Sequence, residues 1–381
     1  MKTDTKWKNA LAQNKPVFSR IYHAMGDETS KRLYESLLRL QYTGDVQYLI
    51  EAVQLNGFEP DPALLQYKML QEWTAAQKPA ILYGLGKIAE SAFQLAADKE
   101  GAVGYLFFPF ITDIPWAGYC DKNRRGTFGP EQKEIMTPEE MLASFPGALI
   151  CVAAEAFEEI KRELMELGFA EDRICRYIPG RTKVFEDKQY FGEAFMPPRQ
   201  ERFFVEGGAY RFDSAERFLD WNRGYGAEGL LCFEPDPVNY EICCQKLQEQ
   251  TEGALARNSK IIHAGVSDRC AVMCFHAAGS DESQFSEAKG GVSISLRPID
   301  QEIGERNISF LKLDVEGFEL AALQGAEQAI RRCRPRMAVC AYHKLEDLLK
   351  IPKWILDLEM GYTLQLRMYS NEYLEIVCYA Y

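Results

Sequence analysis

Three carboxylates crowd into six residues of the stretch FLKLDVEGFE, where Asp314, Glu316 and Glu319 follow the apolar Phe310, Leu311 and Leu313. Like charges this close repel, and burying one of them unpaired is costly, so a ligand is expected where they gather. Polar residues recur after four other apolar runs. Glu206, Gly207, Gly208 and Ala209 follow Phe203 to Val205, and Glu234 follows LLCF. Ser267 and Asp268 follow SKIIHAGV, and His343 follows RMAVCAY. Gly207 and Gly208 permit close backbone approach to a ligand's carboxylate. Glu206 offers negative charge to an amino group or a helix N-terminus. Glu234 can accept both hydrogen bonds of a ribose diol. The lysine and glycine cradle that a triphosphate needs is missing from this set. An adenosine-bearing cofactor without phosphates and with a positively charged reactive centre suits the acidic rim, and S-adenosylmethionine is such a molecule.

The elements that would hold these residues read as an open α/β sheet. Glu206 and Glu234 are 28 residues apart, the length of one strand–helix–strand crossover. Five strands are expected to end at Glu206, Glu234, Ser267–Asp268, Asp314 and His343. GYTLQLRMYS and LEIVCYAY then form an antiparallel pair around Asn371. In such a sheet, ligands bind at the carboxyl ends of the strands.

These pieces, FFVEGGAY, FEPDPVNYE, HAGVSD, FLKLDVEGFELAALQGAEQAI, RPRMAVCAYHKLEDLLKIP and LRMYSNEYLEIVCYA, resemble the FkbM family of S-adenosylmethionine-dependent methyltransferases from about Arg202 to Tyr381. The resemblance implies a class I methyltransferase fold, Rossmann-like, with a seven-stranded sheet and a reversed last hairpin. It also implies O-methylation of a sugar or small metabolite. By position it makes Glu206, Gly207, Gly208 and Ala209 the cofactor loop, Glu234 the ribose ligand, and Ser267 and Asp268 the adenine side. Asp314 and Glu316 would face the transferring methyl. Two departures stand out. Glu206 and Phe212 occupy positions where the family loop carries aspartate and glycine, so Phe212 is expected to narrow the cofactor mouth. Met368 replaces a second histidine, which leaves His343 alone at this edge, with His23, His263 and His276 read as structural.

Methyl transfer to an alcohol is an in-line displacement helped by positioning and by a base. His343 and Asp314 are the candidates for that base. Alternatively, Asp314 and Glu316 hold a divalent cation, magnesium by their oxygen chemistry, that acidifies the hydroxyl; the spacing does not require one.

Upstream, residues 1–75 read as a helical leader, with Leu33, Leu37, Leu38 and Leu40 on one stripe and Asp27 or Thr29 as its cap. A homodimer contact through this part of the chain is one expectation. Residues 76–185 alternate strands and helices as a small Rossmann-like α/β domain, and 186–200 read as a linker with Pro197–Pro198 at its end. The methyltransferase domain takes 201–381. Gly84-x-Gly86-x-x-Ala89 follows the strand Ala80 to Tyr83, yet Asp121 lies 37 residues beyond Gly84, where a dinucleotide site has its acid after about 20. Two other readings of the whole are a non-catalytic scaffold in a glycan pathway and a nucleotide-sugar enzyme centred on Gly84 and Gly86.

The net charge of −12 argues against a nucleic-acid partner and favours a small-molecule or sugar acceptor. Eleven cysteines without a C-x-x-C pair fit reduced thiols. The apolar run YLFFPFITDIPWAGY is broken by Pro109, Asp113 and Pro115 and is too short to span a bilayer. With no signal-peptide pattern at the N-terminus, a cytoplasmic protein is expected.

Overall fold

The computed structural model describes residues 14–98, 114–179, 183–276, 284–285 and 292–381. Part of the expected leader, Pro109 and Asp113 of the apolar run, and the side chain of His276 lie outside the described residues. Two compact units form, and each is made of more than one stretch of chain. One comprises residues 44–183 with 371–373. The other comprises 1–43, 184–370 and 374–381.

The first unit carries β1 (Ala80–Tyr83), β2 (Gly118–Cys120), β3 (Thr127–Phe128), β4 (Lys133–Met136), β5 (Leu149–Val152) and β6 (Ile174–Arg176). Their order is β3-β4-β2-β1-β5-β6, parallel except for the β3–β4 pair. Helices Gln47–Leu55, Pro62–Ala75, Lys87–Asp98, Pro138–Ser144 and Phe157–Glu166 accompany it. The helix at Pro138 starts where the sequence says it should, because Thr137 and Glu140 close a reciprocal capping box. Asp121 accepts hydrogen bonds from the backbone N–H groups of Leu85 (2.8 Å), Asn123 and Arg124 (2.9 Å each). The amide that the Gly84–Gly86 turn would present to a phosphate is therefore already taken by the protein's own carboxylate.

The second unit is built on β7 (Phe203–Gly207), β8 (Gly229–Phe233), β9 (Lys260–Ile262), β14 (Phe310–Leu313), β15 (Arg336–Cys340), β16 (Leu364–Met368) and β17 (Ile376–Ala380). Their order is β16-β17-β15-β14-β7-β8-β9. The five from β15 to β9 are parallel, and β17 runs antiparallel to both β15 and β16. This is the class I methyltransferase topology, with the reversed last hairpin. Between β9 and β14 the chain makes a small second sheet from β10 (Gly265–Val266), β11 (Ala271–His276), β12 (Gln284–Phe285) and β13 (Val292–Arg297), ordered β10-β13-β11-β12.

β7, β8, β14 and β15 are buried along their whole length, as apolar runs covered on both faces must be. Phe204, Phe218, Phe310, Trp221 and Phe191 pack together beneath the sheet, the first two stacked with centroids 4.4 Å apart. Helix Glu28–Thr43 buries Leu33, Leu37, Leu38 and Leu40, and Asp27 caps it by accepting from Ser30 N (2.7 Å). The compact units divide the chain elsewhere than the expected boundaries. Residues up to 43 group with the second unit and not with the rest of the leader. The expected linker buries Gln189, Tyr190, Phe191 and Met196 in that same unit. No helix among the described residues is long and apolar enough to cross a membrane.

Candidate functional site

The loop after β7 is shaped by crowding from within. A Cβ at Gly208, whose φ is +76°, would stand 1.8 Å from the Asp314 carbonyl oxygen. One at Gly207 would meet Val266, Leu313 and Val315 at 2.9–3.0 Å. The backbone N–H groups of Gly208 and Ala209 both donate to the Phe233 carbonyl (3.1 and 3.0 Å), so the glycines serve first to seat this loop against β8 and β14. Glu206 does not sit in the loop. It lies within β7, in register with Lys312 of β14, and is fully buried with Lys312 Nζ 3.1 Å from its Oε1. Lys312 also donates to the Gly208 carbonyl (2.8 Å), which ties the pair to the loop. Burial raises the Glu206 carboxyl and Lys312 opposes it. Glu206 therefore acts on this site through Lys312 and the loop, and offers no exposed charge to a ligand.

Phe212 is the second departure from expectation. Its φ is +68°, the left-handed region a glycine would fill without strain, and its ring is fully buried. It packs inside the unit and does not stand at a mouth. Ser267 and Asp268 follow β10 of the small sheet, whereas the third strand of the main sheet ends earlier, at Ile262. Ser267 Oγ donates to Asp268 Oδ1 (3.1 Å), and the Ser267 carbonyl comes so close to Gly325 that a Cβ there would lie 2.0 Å away.

Glu234 follows β8 and is 4% exposed. Its Oε2 accepts from Tyr210 N and its Oε1 from Asp236 N, both at 2.7 Å. Burial pushes the carboxyl up to about 8, although those two amides favour the ionised form. Each oxygen keeps a lone pair beyond its amide bond.

The acidic strand end converges with three other segments. Asp314 Oδ2 accepts from the Tyr190 hydroxyl (3.0 Å), and its Oδ1 lies 3.6 Å from His343 Nε2. Glu316 Oε2 is also 3.6 Å from Nε2, and Glu319 Oε1 is 2.8 Å from Nδ1. Glu319 is fully buried and takes backbone bonds from Val315 N (2.8 Å) and Gly317 N (3.4 Å), which fixes the turn on which Glu316 sits at φ +52°. Glu375 accepts from Tyr342 Oη (3.2 Å) and Gln189 Nε2 (2.5 Å). Tyr190, Glu316 and Glu375 all adopt positive φ without being glycine, a concentration of backbone strain that is characteristic of functional sites.

Electrostatics then assign protons. Burial would raise Asp314, but Lys312, His343 and the Tyr190 hydroxyl hold it below the usual carboxylate value. Burial and its acidic neighbours push Glu316 up to about 7, against the pull of His343, and Glu375 likewise to about 7. For His343, burial acts to lower the pKa, yet Glu319, Asp314 and Glu316 together raise it to about 10. The imidazole is thus cationic at neutral pH, and it enters the site as a charge and a donor, contrary to the base expected from its ordinary pKa.

The structure brings Asp314, Glu316 and His343 together with Glu319 of the same acidic run, and the sequence reading passed over Tyr190, Glu375 and Lys312. Lys312 had left a trace: a lysine inside FLKL and a glutamate inside FFVEG are opposite charges in two apolar strands.

Residues 206–364 match the family model described as the methyltransferase FkbM domain. Comparison with curated proteins gives no match. Among solved structures the chain is similar to a methyltransferase FkbM from Methylobacillus flagellatus KT, with 15% identity over 89% of this chain and 98% of that one and a TM-score of 0.49. It is also similar to Aeropyrum pernix fibrillarin in complex with natively bound S-adenosyl-L-methionine (12% identity, 50% and 71% coverage, TM-score 0.32). A putative methyltransferase from Streptococcus mutans in complex with SAH is a third (10%, 48% and 90%, 0.31). The family match and the strand order, not these distant structural likenesses, carry the resemblance: residues 206–364 are similar to the methyltransferase FkbM domain.

Proposed function

We propose that this domain transfers a methyl group from S-adenosylmethionine to a hydroxyl of a sugar or other small metabolite. The observation that carries the cofactor is Glu234, a buried carboxylate at the end of β8 whose two oxygens are each aimed by one backbone amide and each retain a lone pair. A vicinal diol fits that arrangement, and burial leaves the carboxylate short of partners until one arrives. When bound, S-adenosylmethionine supplies an electrophilic methyl on a sulfonium. The acidic edge formed by Asp314, Glu316 and Glu375 favours a cationic centre. Transfer breaks the carbon–sulfur bond, forms a carbon–oxygen bond and releases the hydroxyl proton.

Asp314 is the residue best placed to take that proton. It is ionised, it is held by Tyr190, and about a quarter of its side chain (24%) reaches solvent. Glu316, near pH 7 in its own titration, is poised to pass the proton outward. His343 steadies both carboxylates. Loss of a positioned base costs roughly 10²–10⁴ in rate. The test is titration of the purified chain with S-adenosylhomocysteine, followed by transfer of labelled methyl from S-adenosylmethionine to a panel of hydroxylated sugars and small metabolites. Absence of cofactor binding would refute the reading, and methylation at nitrogen alone would refute its hydroxyl part.

A further inference from the structure

Asp314, Glu319 and His343 each present one potential ligand atom, and the three atoms lie within 4.8 Å of one another. Two of these side chains have unused capacity while buried. Glu319 is wholly buried and its Oε2 accepts no hydrogen bond. His343 is 10% exposed, and although its Nδ1 lies 2.8 Å from Glu319 Oε1, the angle makes no hydrogen bond. Its Nε2 is 3.6 Å from both Asp314 and Glu316, beyond bonding distance. Buried polar groups are ordinarily partnered, so the unused Glu319 Oε2 and His343 Nδ1 leave this cluster with donor atoms to offer a ligand.

We propose that Asp314, Glu319 and His343 form a binding site for a divalent transition-metal ion, of the manganese or zinc class. Two donors sharing a cation at bonds of about 2.0–2.2 Å stand roughly 3–4 Å apart; Asp314 Oδ1 lies 3.6 Å from His343 Nε2, and one ligand atom from each of the three residues falls within 4.8 Å of the others. One imidazole nitrogen with two carboxylate oxygens suits manganese or zinc, whereas magnesium takes oxygen ligands and keeps its waters. The site therefore differs in both ligands and metal from an Asp314–Glu316 pair holding magnesium. Its frame is rigid: backbone amides of Val315 and Gly317 fix Glu319, and Tyr190 fixes Asp314 through its other oxygen. Such bonds to the ligands orient them for a metal. Binding displaces the proton of His343 to solvent. Resting on the methyltransferase reading, the ion would stand where the acceptor hydroxyl arrives and would lower that hydroxyl's pKa.

Manganese is the better probe, because the chain's cysteines would also take zinc. Full-length protein, stripped with chelator, is titrated with manganese chloride while the free ion is counted by electron paramagnetic resonance. One equivalent should bind the wild type, and His343→Ala and Glu319→Gln should each weaken it by roughly 100-fold or more. Circular dichroism establishes that each variant is folded. Should either fail that check, Asp314→Asn, which keeps the shape, replaces it with the same expectation. No bound manganese in the wild type, or equal binding in the folded variants, overturns the proposal. S-adenosylhomocysteine affinity measured on the same samples separates the two ideas: cofactor binding without metal sinks only the metal site, and metal without cofactor sinks only the methyltransferase reading.

Discussion

Replacing Glu234 by glutamine should reveal its role through pH as well as affinity. In the free protein, burial lifts this carboxyl to about 8. A ribose diol donates two hydrogen bonds and so prefers the ionised form, which means binding pulls the pKa back down. Affinity is then at its full value above about pH 8 and falls as the pH drops. At pH 6.5 only about 3% of the groups are ionised, so binding there costs about 2 kcal/mol, roughly a 30-fold weaker affinity than at pH 9. Calorimetry with S-adenosylhomocysteine at pH 6.5, 7.5 and 9 measures this, and repeating it in buffers of different ionisation enthalpy counts the protons released. In Glu234→Gln the Glu234-linked part of the slope should vanish, and affinity at pH 9 should fall by about 1.5–3 kcal/mol, the value of a hydrogen bond to a charged group. The same linkage acts on folding. The raised pKa removes stability from the free protein as pH climbs from about 4.5 through about 8, and bound ligand should restore it. An affinity with the same pH slope in wild type and Glu234→Gln would refute the reasoning, because other groups would then be titrating.

Asp314→Asn should reduce methyl transfer by roughly 10²–10⁴ while leaving S-adenosylhomocysteine binding nearly unchanged, as read by single-turnover kinetics beside calorimetry. Gly208→Ala should lower stability to chemical denaturation by at least about 2–3 kcal/mol, since the added methyl meets the Asp314 carbonyl at a positive φ; a neutral result would mean the loop adjusts freely. Lys312→Met should cost about 3–5 kcal/mol above neutral pH by stranding Glu206, and less in acid, where that carboxyl takes a proton. Millimolar NAD or NADP should leave the melting temperature unchanged, because Asp121 already holds the Leu85 amide. A shift abolished by Gly86→Trp would contradict that account.

The strands were legible because burial on both faces leaves continuous apolar runs: Phe310–Leu313, which holds the site, and Ala80–Tyr83 of the other unit both end where those runs end. Their polar ends were legible for the same reason. Register was not. Glu206 reads equally well as the last residue of a strand or the first of a loop, and only its pairing opposite Lys312 decides the matter. Segments that enter the site from a distance leave no local pattern. Tyr190 lies among residues that look like linker, and Glu375 is one more acid in a turn, yet both reach a cluster assembled from Asp314 and the chain after β15. The left-handed turn at Phe212 was invisible in a different way, since no pattern of residue types calls for a phenylalanine there. Proton assignments depend on all of these contacts at once, which is why the reference pKa misjudged His343.

Helix Glu28–Thr43 belongs to a unit whose remainder begins only at residue 184. Asp27 meets Arg367 at 2.6 Å, and Ser30 accepts from Leu366 N at 3.0 Å, contacts separated by about 340 residues of chain. Chain growth at 5–20 residues per second puts roughly 17–70 s between the emergence of that helix and of the strand it covers. Residues 44–183 of the intervening α/β unit emerge in that interval, while Leu33, Leu37, Leu38 and Leu40 wait without their surface. During synthesis this leucine stripe is an exposed apolar face, open to chaperones and to aggregation, until the β16–β17 hairpin emerges to cover it.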